Sequence, residues 1–194
     1  MPTIIQKPTT SKNYSIGRTR VPDMIVIHVG VGTQQSIYNT FNDPASQVSA
    51  HYSVSNTGEI WQFVQEENTA WHAGIVRYPT SALVLSRLGV NPNAYSIGIE
   101  HEGGYVGDPN PEDFTEAQYK ATAGLVAQIA KKWKISLDRI HIVGHREIRI
   151  DKTCPGLRVS VERIITMAGE YVEVSPVDKV AELKQAILAV LSKY

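Results

Sequence analysis

The chain has 194 residues, of which 42% are apolar and 20% are charged, with 19 basic and 19 acidic side chains. This length accommodates one domain of ordinary size with a real core. The even charge balance argues against a nucleic-acid-binding protein, which usually carries a basic excess. Cys154 is the single cysteine, so an intramolecular disulfide is excluded.

The amino-terminal region is polar and irregular. Residues 1–21 are interrupted by Pro8 and Gly17 and lack the apolar run of a signal peptide. Nothing in the sequence approaches the ~18 consecutive apolar residues of a membrane span. We therefore expect residues 1–21 to form a surface segment. We also expect synthesis in the cytoplasm without a signal peptide, and no insertion into a membrane.

The next elements are predicted from short apolar runs and turn residues. The β-branched run at 24–29 predicts a buried strand, and residues 34–42 predict a short helix. The segments 48–55 and 59–64 flank an Asn-Thr-Gly turn and predict a β-hairpin. Residues 65–94 are rich in turn signals and are expected to be mostly loop, with one short helix.

The second half of the chain alternates strands and helices. Residues 95–100 and 139–143 predict strands. A helix is expected to begin after Thr115, which has a glutamine three residues later, as a capping box requires. Residues 160–167 predict another helix, which Gly169 is expected to end. This order predicts an α/β fold with a single central mixed β-sheet flanked by helices.

The tail has the pattern of an amphipathic helix. Ser175 is a good N-cap, and Pro176 suits the first helical position. We expect a domain over 22–170 and a helical tail over 171–194 that either docks on the domain or self-associates with another copy. The apolar face of this helix would consist of Val177, Val180, Leu183, Ile187, Val190 and Leu191.

Two histidines and the cysteine are candidate metal ligands. His28 lies at the end of the first predicted strand, just before Gly30, His145 follows the 139–143 strand, and Cys154 comes nine positions later. Two imidazoles and one thiolate form a legitimate catalytic zinc set, because three protein ligands leave a fourth position open. The spacing alone is a weak signal, since a single histidine is more often structural than a ligand.

Six short motifs give the sequence a family resemblance. In their order along the chain they resemble the zinc N-acetylmuramoyl-L-alanine amidases of the amidase-2 group, which is similar to peptidoglycan recognition proteins and phage endolysins. The resemblance covers about residues 22–158. The motifs are Val26-Ile27-His28, Ser49-Ala50-His51-Tyr52, Ala70-Trp71-His72-Ala73-Gly74, Ser96-Ile97-Gly98-Ile99-Glu100, Gly144-His145-Arg146-Glu147-Ile148 and Lys152-Thr153-Cys154-Pro155-Gly156.

The resemblance implies an amidase-2 fold and a Zn²⁺ held by His28, His145 and Cys154. It also implies that Glu100 lies beside the water that the metal activates and moves a proton from that water to the leaving amine. Lys152 would face the same site, where its charge could stabilise the tetrahedral oxyanion. Without the resemblance, Glu100 would be interpreted as a surface carboxylate and Lys152 as a solvated lysine.

Trp71, His72 and Gly74 are predicted to line the substrate groove. An aromatic ring beside a polar histidine suits a sugar edge and a peptide stem. A core position for Trp71 is an equally good interpretation.

The three remaining histidines receive no catalytic role. His51 is expected to be packed and to orient another group. His101 lies beside Glu100 in the sequence, and His141 is expected inside a strand with a core or supporting role.

At two positions this chain differs from some members of the family, and both differences bear on its expected mechanism and role. Some relatives place a catalytic tyrosine where this chain has Ala50, so proton transfer should fall to Glu100. Cytosolic recycling amidases of this group tend to use aspartate where this chain has Cys154. This difference favours a wall-lytic, bacteriolytic endolysin or autolysin, acting on the cell wall after holin-type release.

The resulting expectation is a zinc hydrolase that cuts the bond between N-acetylmuramic acid and L-alanine in bacterial peptidoglycan. The alternatives are a non-catalytic peptidoglycan-binding module, a cytosolic muropeptide-recycling amidase, and a cysteine hydrolase that uses Cys154 as its nucleophile.

Overall fold

The computed structural model describes residues 2–10, 12–103 and 113–173. Three short 3-10 turns accompany its helices and strands. The strands are β1 (Ile4–Gln6), β2 (Tyr14–Ser15), β3 (Met24–Ile27), β4 (Tyr52–Val54), β5 (Ile60–Gln62), β6 (Thr69–Ala70), β7 (Ser96–His101) and β8 (Ile142–Gly144). The helices are α1 (Gln34–Asn42), α2 (Ala82–Leu85), α3 (Glu116–Trp133) and α4 (Val161–Glu173).

Six of the strands form one mixed sheet in the order β1-β5-β4-β7-β3-β8. The β4–β5 pair is antiparallel, and the other neighbours are parallel. Strands β2 and β6 form a separate antiparallel pair. The predicted α/β fold with one central mixed sheet is therefore confirmed.

Apolar residues of β3 cover both faces of the sheet, as expected for a central parallel strand. Ile25 and Ile27 pack in a cluster with residues of α3 and α4. Met24 and Val26 point to the opposite side and pack with Val143 and its neighbours. Because both faces are buried, the strand backbone is fixed, and its carboxyl end is a rigid place for functional side chains.

Several local predictions are confirmed. Helix α1 spans 34–42, and the predicted hairpin is the β4–β5 pair, with Gly58 at φ +85° in its turn. The Thr115 side chain accepts the Gln118 amide N–H at 3.1 Å, and the Gln118 side chain accepts the Thr115 amide N–H, so the capping box at the start of α3 is present.

Other boundaries differ from the predictions. Strand β8 begins at Ile142 rather than at residue 139, because the Asp138 carboxylate accepts the backbone N–H groups of Ile140 and His141 and holds a turn there. His141 therefore lies before the strand, not inside it.

Helix α4 continues through Gly169, contrary to the predicted stop. Beyond this glycine, the Tyr171 hydroxyl donates to the Lys120 carbonyl of α3 at 3.4 Å, so packing against α3 extends α4. The proposed boundary at 170 consequently falls inside a helix.

The amino-terminal segment contributes more than surface coverage. Strand β1 pairs in parallel with β5 at the edge of the main sheet. Within the described residues, no helix is both long and apolar enough to cross a membrane. The predicted amphipathic helix beyond residue 173, with its proposed self-association, lies outside the described residues.

Candidate metal centre and active site

The candidate ligands meet at one edge of the sheet because three parallel strands end there. Strand β3 pairs with both β7 and β8 in parallel, so their carboxyl ends lie side by side. His28 directly follows β3, Glu100 lies near the end of β7, and His145 directly follows β8. A short apolar strand followed by a polar residue thus brings distant parts of the sequence to one place.

Cys154 reaches this edge from a loop. Its Sγ accepts the Val29 amide N–H at 3.2 Å, and its carbonyl accepts the Arg146 amide N–H at 2.8 Å. The loop is therefore tied to the ends of both β3 and β8. Strand periodicity does not predict this position.

The three donor groups fit a zinc ion. One ligand atom from each of His28, His145 and Cys154 lies within 4.8 Å of the other two. The Nδ1 of His28 is 3.8 Å from the Cys154 sulfur. A tetrahedral zinc with bonds of about 2.0–2.3 Å needs donors about 3.3–3.8 Å apart, so a small inward movement completes the site.

Burial keeps the three groups in their neutral forms when no cation is present. It lowers the pKa of His28 well below its ordinary value, with the neighbouring His145 adding to the effect. It lowers the pKa of His145 to about 4, assisted by the charge of Lys152. It raises the pKa of the Cys154 thiol. The imidazole lone pairs are thus free to bind a cation, and a cation would favour the thiolate.

Glu100 stands beside this group, as the resemblance implies. Its Oε2 lies 3.8 Å from His28 Nδ1, and its side chain is 17% exposed. Burial raises the pKa of Glu100 to about 8. Since the pKa of His28 is lowered, the two are neutral neighbours rather than an ion pair in the metal-free protein. The carboxyl is placed where it can exchange a proton with a solvent molecule at the site.

Lys152 is exposed and lies two residues before Cys154. Its charge acts on both Cys154 and His145, shifting the pKa of each downwards. The structure therefore places a cation in electrostatic reach of the candidate ligands. Its catalytic role stays a prediction.

The three predicted groove residues lie in different environments. Trp71 is half-buried, and its indole N–H donates to the Ser15 hydroxyl at 3.2 Å. Gly74 is exposed. The ring of His72 is turned inward, with one nitrogen 3.0 Å from His28 and the other 3.2 Å from the Ser96 hydroxyl. Substrate contact by these residues stays a prediction, and for His72 both ring nitrogens already have protein partners.

The other histidines support the framework. His51 is fully buried, and its Nδ1 accepts the amide N–H of Gly98 at 3.0 Å. His101 is also fully buried and joins the His28 carbonyl, at 2.7 Å, to the Thr122 hydroxyl of α3. Position 50 is a fully buried alanine, whose methyl side chain offers no polar group to the site.

The supporting roles of Ser96 and Gly98 in β7 were not predicted from the sequence, whereas a role for Glu100 of the same strand was. Ser96, Gly98 and Glu100 alternate along the strand and share one face. A Cβ at Gly98 would lie 2.5 Å from the Cγ of His72, so only glycine leaves room for this ring. The alternation within Ser-Ile-Gly-Ile-Glu was the available signal.

Comparisons with known proteins identify the relatives of this chain. The sequence profile of the N-acetylmuramoyl-L-alanine amidase family matches residues 18–157. N-acetylmuramoyl-L-alanine amidase A of Achromobacter lyticus is 31% identical over 149 residues, which are 72% of this chain and 73% of the relative. The 1,6-anhydro-N-acetylmuramyl-L-alanine amidase AmpD of Haemophilus influenzae is 35% identical over 122 residues, 62% of this chain and 58% of the relative.

Two solved structures share the fold of this chain. A selenomethionine derivative of AmpD aligns with a TM-score of 0.66 at 27% identity, covering 86% of this chain and 95% of that one. The amidase LysC from Clostridium intestinale URNW shares the fold, with a TM-score of 0.63 at 24% identity over 86% of this chain and 97% of that one.

The fold and the family match define the class as a hydrolase of linear amides. More specifically, the chain belongs to the N-acetylmuramoyl-L-alanine amidase family. The family predicted from the six motifs is confirmed. The chain spans 73% and 58% of the lengths of the two curated relatives described above.

Proposed function

We propose that this protein is a zinc-dependent N-acetylmuramoyl-L-alanine amidase. Its substrate would be the amide bond between the lactyl group of N-acetylmuramic acid and L-alanine of the peptidoglycan stem peptide. One observation carries the proposal: donor atoms of His28, His145 and Cys154 lie within 4.8 Å of one another, and Glu100 is 3.8 Å from His28. Family membership supports the type of bond.

Zinc is the cation that best suits the donor set. Two neutral imidazoles and one sulfur match its ligand preference, and three protein donors are the number typical of catalytic rather than structural zinc. When bound, zinc supplies a Lewis acid that polarises the amide carbonyl and lowers the pKa of water towards ~7.

Glu100 and Lys152, beside the candidate ligands, would transfer the proton and stabilise the developing negative charge. A cation bound beside Glu100 would favour its ionised form, and this carboxylate would accept a proton from the attacking water and pass it to the nitrogen of the leaving L-alanine. The Lys152 ammonium would stabilise the negative charge that develops on the carbonyl oxygen. The products are a free lactyl carboxylate and a stem peptide with a free amino terminus, so atoms and protons balance.

A cysteine-nucleophile mechanism receives less support. Burial raises the pKa of the Cys154 thiol, whereas a nucleophilic cysteine needs a lowered pKa. Thiol alkylation separates the two mechanisms, because a zinc ligand should be protected by added zinc and a free nucleophile should not.

The activity test is digestion of purified peptidoglycan followed by mass spectrometry. The zinc-loaded protein should release stem peptides with free L-alanine amino termini and leave the glycan uncut. Cys154→Ser and Glu100→Gln should abolish release. His141→Gln is the matched control, since His141 contacts Asp138 at 2.7 Å and is not among the three candidate ligands. Release by Cys154→Ser in the presence of EDTA would overturn the proposal, and tight muropeptide binding without turnover would indicate a binding module.

Two substrate ranges can be compared directly. The cysteine in the third ligand position favours a wall-lytic, endolysin-type enzyme that reaches the wall after holin-type release. The 35% identity with the 1,6-anhydro-N-acetylmuramyl-L-alanine amidase AmpD of Haemophilus influenzae favours a recycling enzyme as the second candidate. Intact walls and soluble 1,6-anhydro-muropeptides, offered at equal bond concentration, distinguish them by kcat/KM.

A further inference from the structure

We propose that His72 is a positioning residue that fixes the tautomer and orientation of His28, so that Nδ1 of His28 is the atom presented to the metal. The inference rests on the zinc role proposed for His28. It differs from the sequence expectation, which placed His72 in the substrate groove.

A directional chain of hydrogen bonds carries the inference. The Ser96 hydroxyl is 2.7 Å from the Pro92 carbonyl, which can only accept, so the single hydroxyl proton is used there. The same oxygen lies 3.2 Å from His72 Nε2 and must therefore accept a proton from it. A neutral His72 that carries its proton on Nε2 has a bare Nδ1.

The chain continues to the candidate ligand. His72 Nδ1 lies 3.0 Å from Nε2 of His28, and, being bare, it accepts the Nε2–H of His28. A neutral His28 then has its lone pair on Nδ1, the atom that lies 3.8 Å from both the Cys154 sulfur and the Glu100 carboxyl. The Pro92 carbonyl thus determines which ring nitrogen carries the proton in both His72 and His28.

The ring of His72 is held firmly enough to do this. Its backbone N–H donates to the Asn93 side chain at 3.1 Å, and the Asn93 side chain is itself buried. The ring packs on Gly98, where a Cβ would come within 2.5 Å. Backbone and side-chain contacts together leave the ring little freedom.

Loss of the acceptor would affect the metal more than the substrate. His28 is only 3% exposed, so its Nε2–H would be left without a partner. Partners that orient metal-ligating histidines typically change metal affinity by about 10–100-fold when removed. A residue that contacts only substrate would instead raise KM and leave zinc affinity unchanged.

The test compares two variants by zinc affinity, measured by competition with a chromophoric chelator and without substrate. His72→Phe keeps a planar ring but removes the acceptor, and we expect zinc binding about 10–100-fold weaker. His72→Asn keeps an acceptor oxygen close to the position of Nδ1 and should retain most of the affinity. Equal zinc affinity of His72→Phe and the unmodified protein would overturn the inference.

A second measurement does not depend on any variant folding. Nitrogen-15 NMR of the zinc-free, unmodified protein should find both His28 and His72 as Nε2–H tautomers. An Nδ1–H tautomer at His28 would contradict the inference while leaving the proposed amidase function intact. If the unmodified protein binds no zinc, the proposed function itself is wrong, and the positioning role is wrong with it.

Discussion

Replacing Gly98 by alanine is a sharp test of the packing beside the proposed metal site. The new Cβ would lie 2.5 Å from Cγ and 2.7 Å from Nδ1 of His72, where ordinary contacts begin at 3.4 Å. Strand β7 cannot move aside, because Gly98 pairs with Val26 of β3 on one side. On the other side it exchanges hydrogen bonds with His51, the residue just before β4. To reach ordinary contact, the His72 ring must therefore retreat by nearly 1 Å, the difference between 2.5 Å and 3.4 Å.

The expected effect follows from overpacking of a fixed core. Such insertions cost about 1–3 kcal/mol, which in a chain of this size lowers Tm by roughly 2–12 °C. The retreat also displaces His72 Nδ1, which makes the 3.0 Å contact with His28, so zinc affinity should fall as well. Thermal unfolding and chelator competition on the same samples measure both effects.

Alanine at a second glycine, Gly169, should change the stability of the protein in the opposite direction. Gly169 lies inside helix α4, and a Cβ there meets nothing within 4 Å. Gly169→Ala should therefore stabilise the protein by about 0.5–1 kcal/mol, because alanine suits a helix interior better than glycine. A Gly98→Ala protein that melts at or above the temperature of the unmodified protein would show that the site accommodates the new Cβ without strain.

Three further outcomes are expected. Thr115→Ala removes the side-chain acceptor of the Gln118 N–H and should lower the free energy of unfolding in urea by about 1 kcal/mol. The control Thr166→Ala, within α4, should change this free energy by less than ~0.5 kcal/mol. Equal losses in the two variants would contradict the capping role of Thr115. Burial lowers the pKa of His51 well below its ordinary value, so the unfolded chain takes up the proton first as pH falls below ~6.5. The free energy of unfolding of the zinc-free protein should then decrease with falling pH, and His51→Gln should flatten this dependence; an unchanged slope would count against it. Lys152→Met should lower kcat by about 10²–10³ if the ammonium stabilises the oxyanion, with zinc content unchanged, and an effect on KM alone would argue for a binding role.

The ligand-bearing strand ends could be predicted from local sequence. Residues 24–27 and 142–144 are short apolar runs, and a polar histidine follows each. Parallel pairing then brings the two histidines together, which is a general property of such sheets. The residues alone made Cys154 a candidate ligand only weakly, and the family resemblance was needed to strengthen that prediction, because its loop position depends on a hydrogen bond from Val29, distant in the sequence.

The structural features that the sequence did not predict depend on contacts between residues far apart in the chain. The inward turn of His72 depends on Ser96, Asn93 and Gly98, none of which is a sequence neighbour. The continuation of α4 through Gly169 depends on the contact of Tyr171 with α3. In both cases local residue preferences were overridden by tertiary packing.

The central claim is that His28, His145 and Cys154 share one zinc ion. Zinc-edge X-ray absorption of the zinc-loaded protein in solution tests it most directly. We expect one sulfur at about 2.3 Å and two imidazole nitrogens at about 2.0–2.1 Å, with the sulfur contribution lost in Cys154→Ser. A zinc environment made only of oxygen and nitrogen donors in the unmodified protein would exclude Cys154 as a zinc ligand.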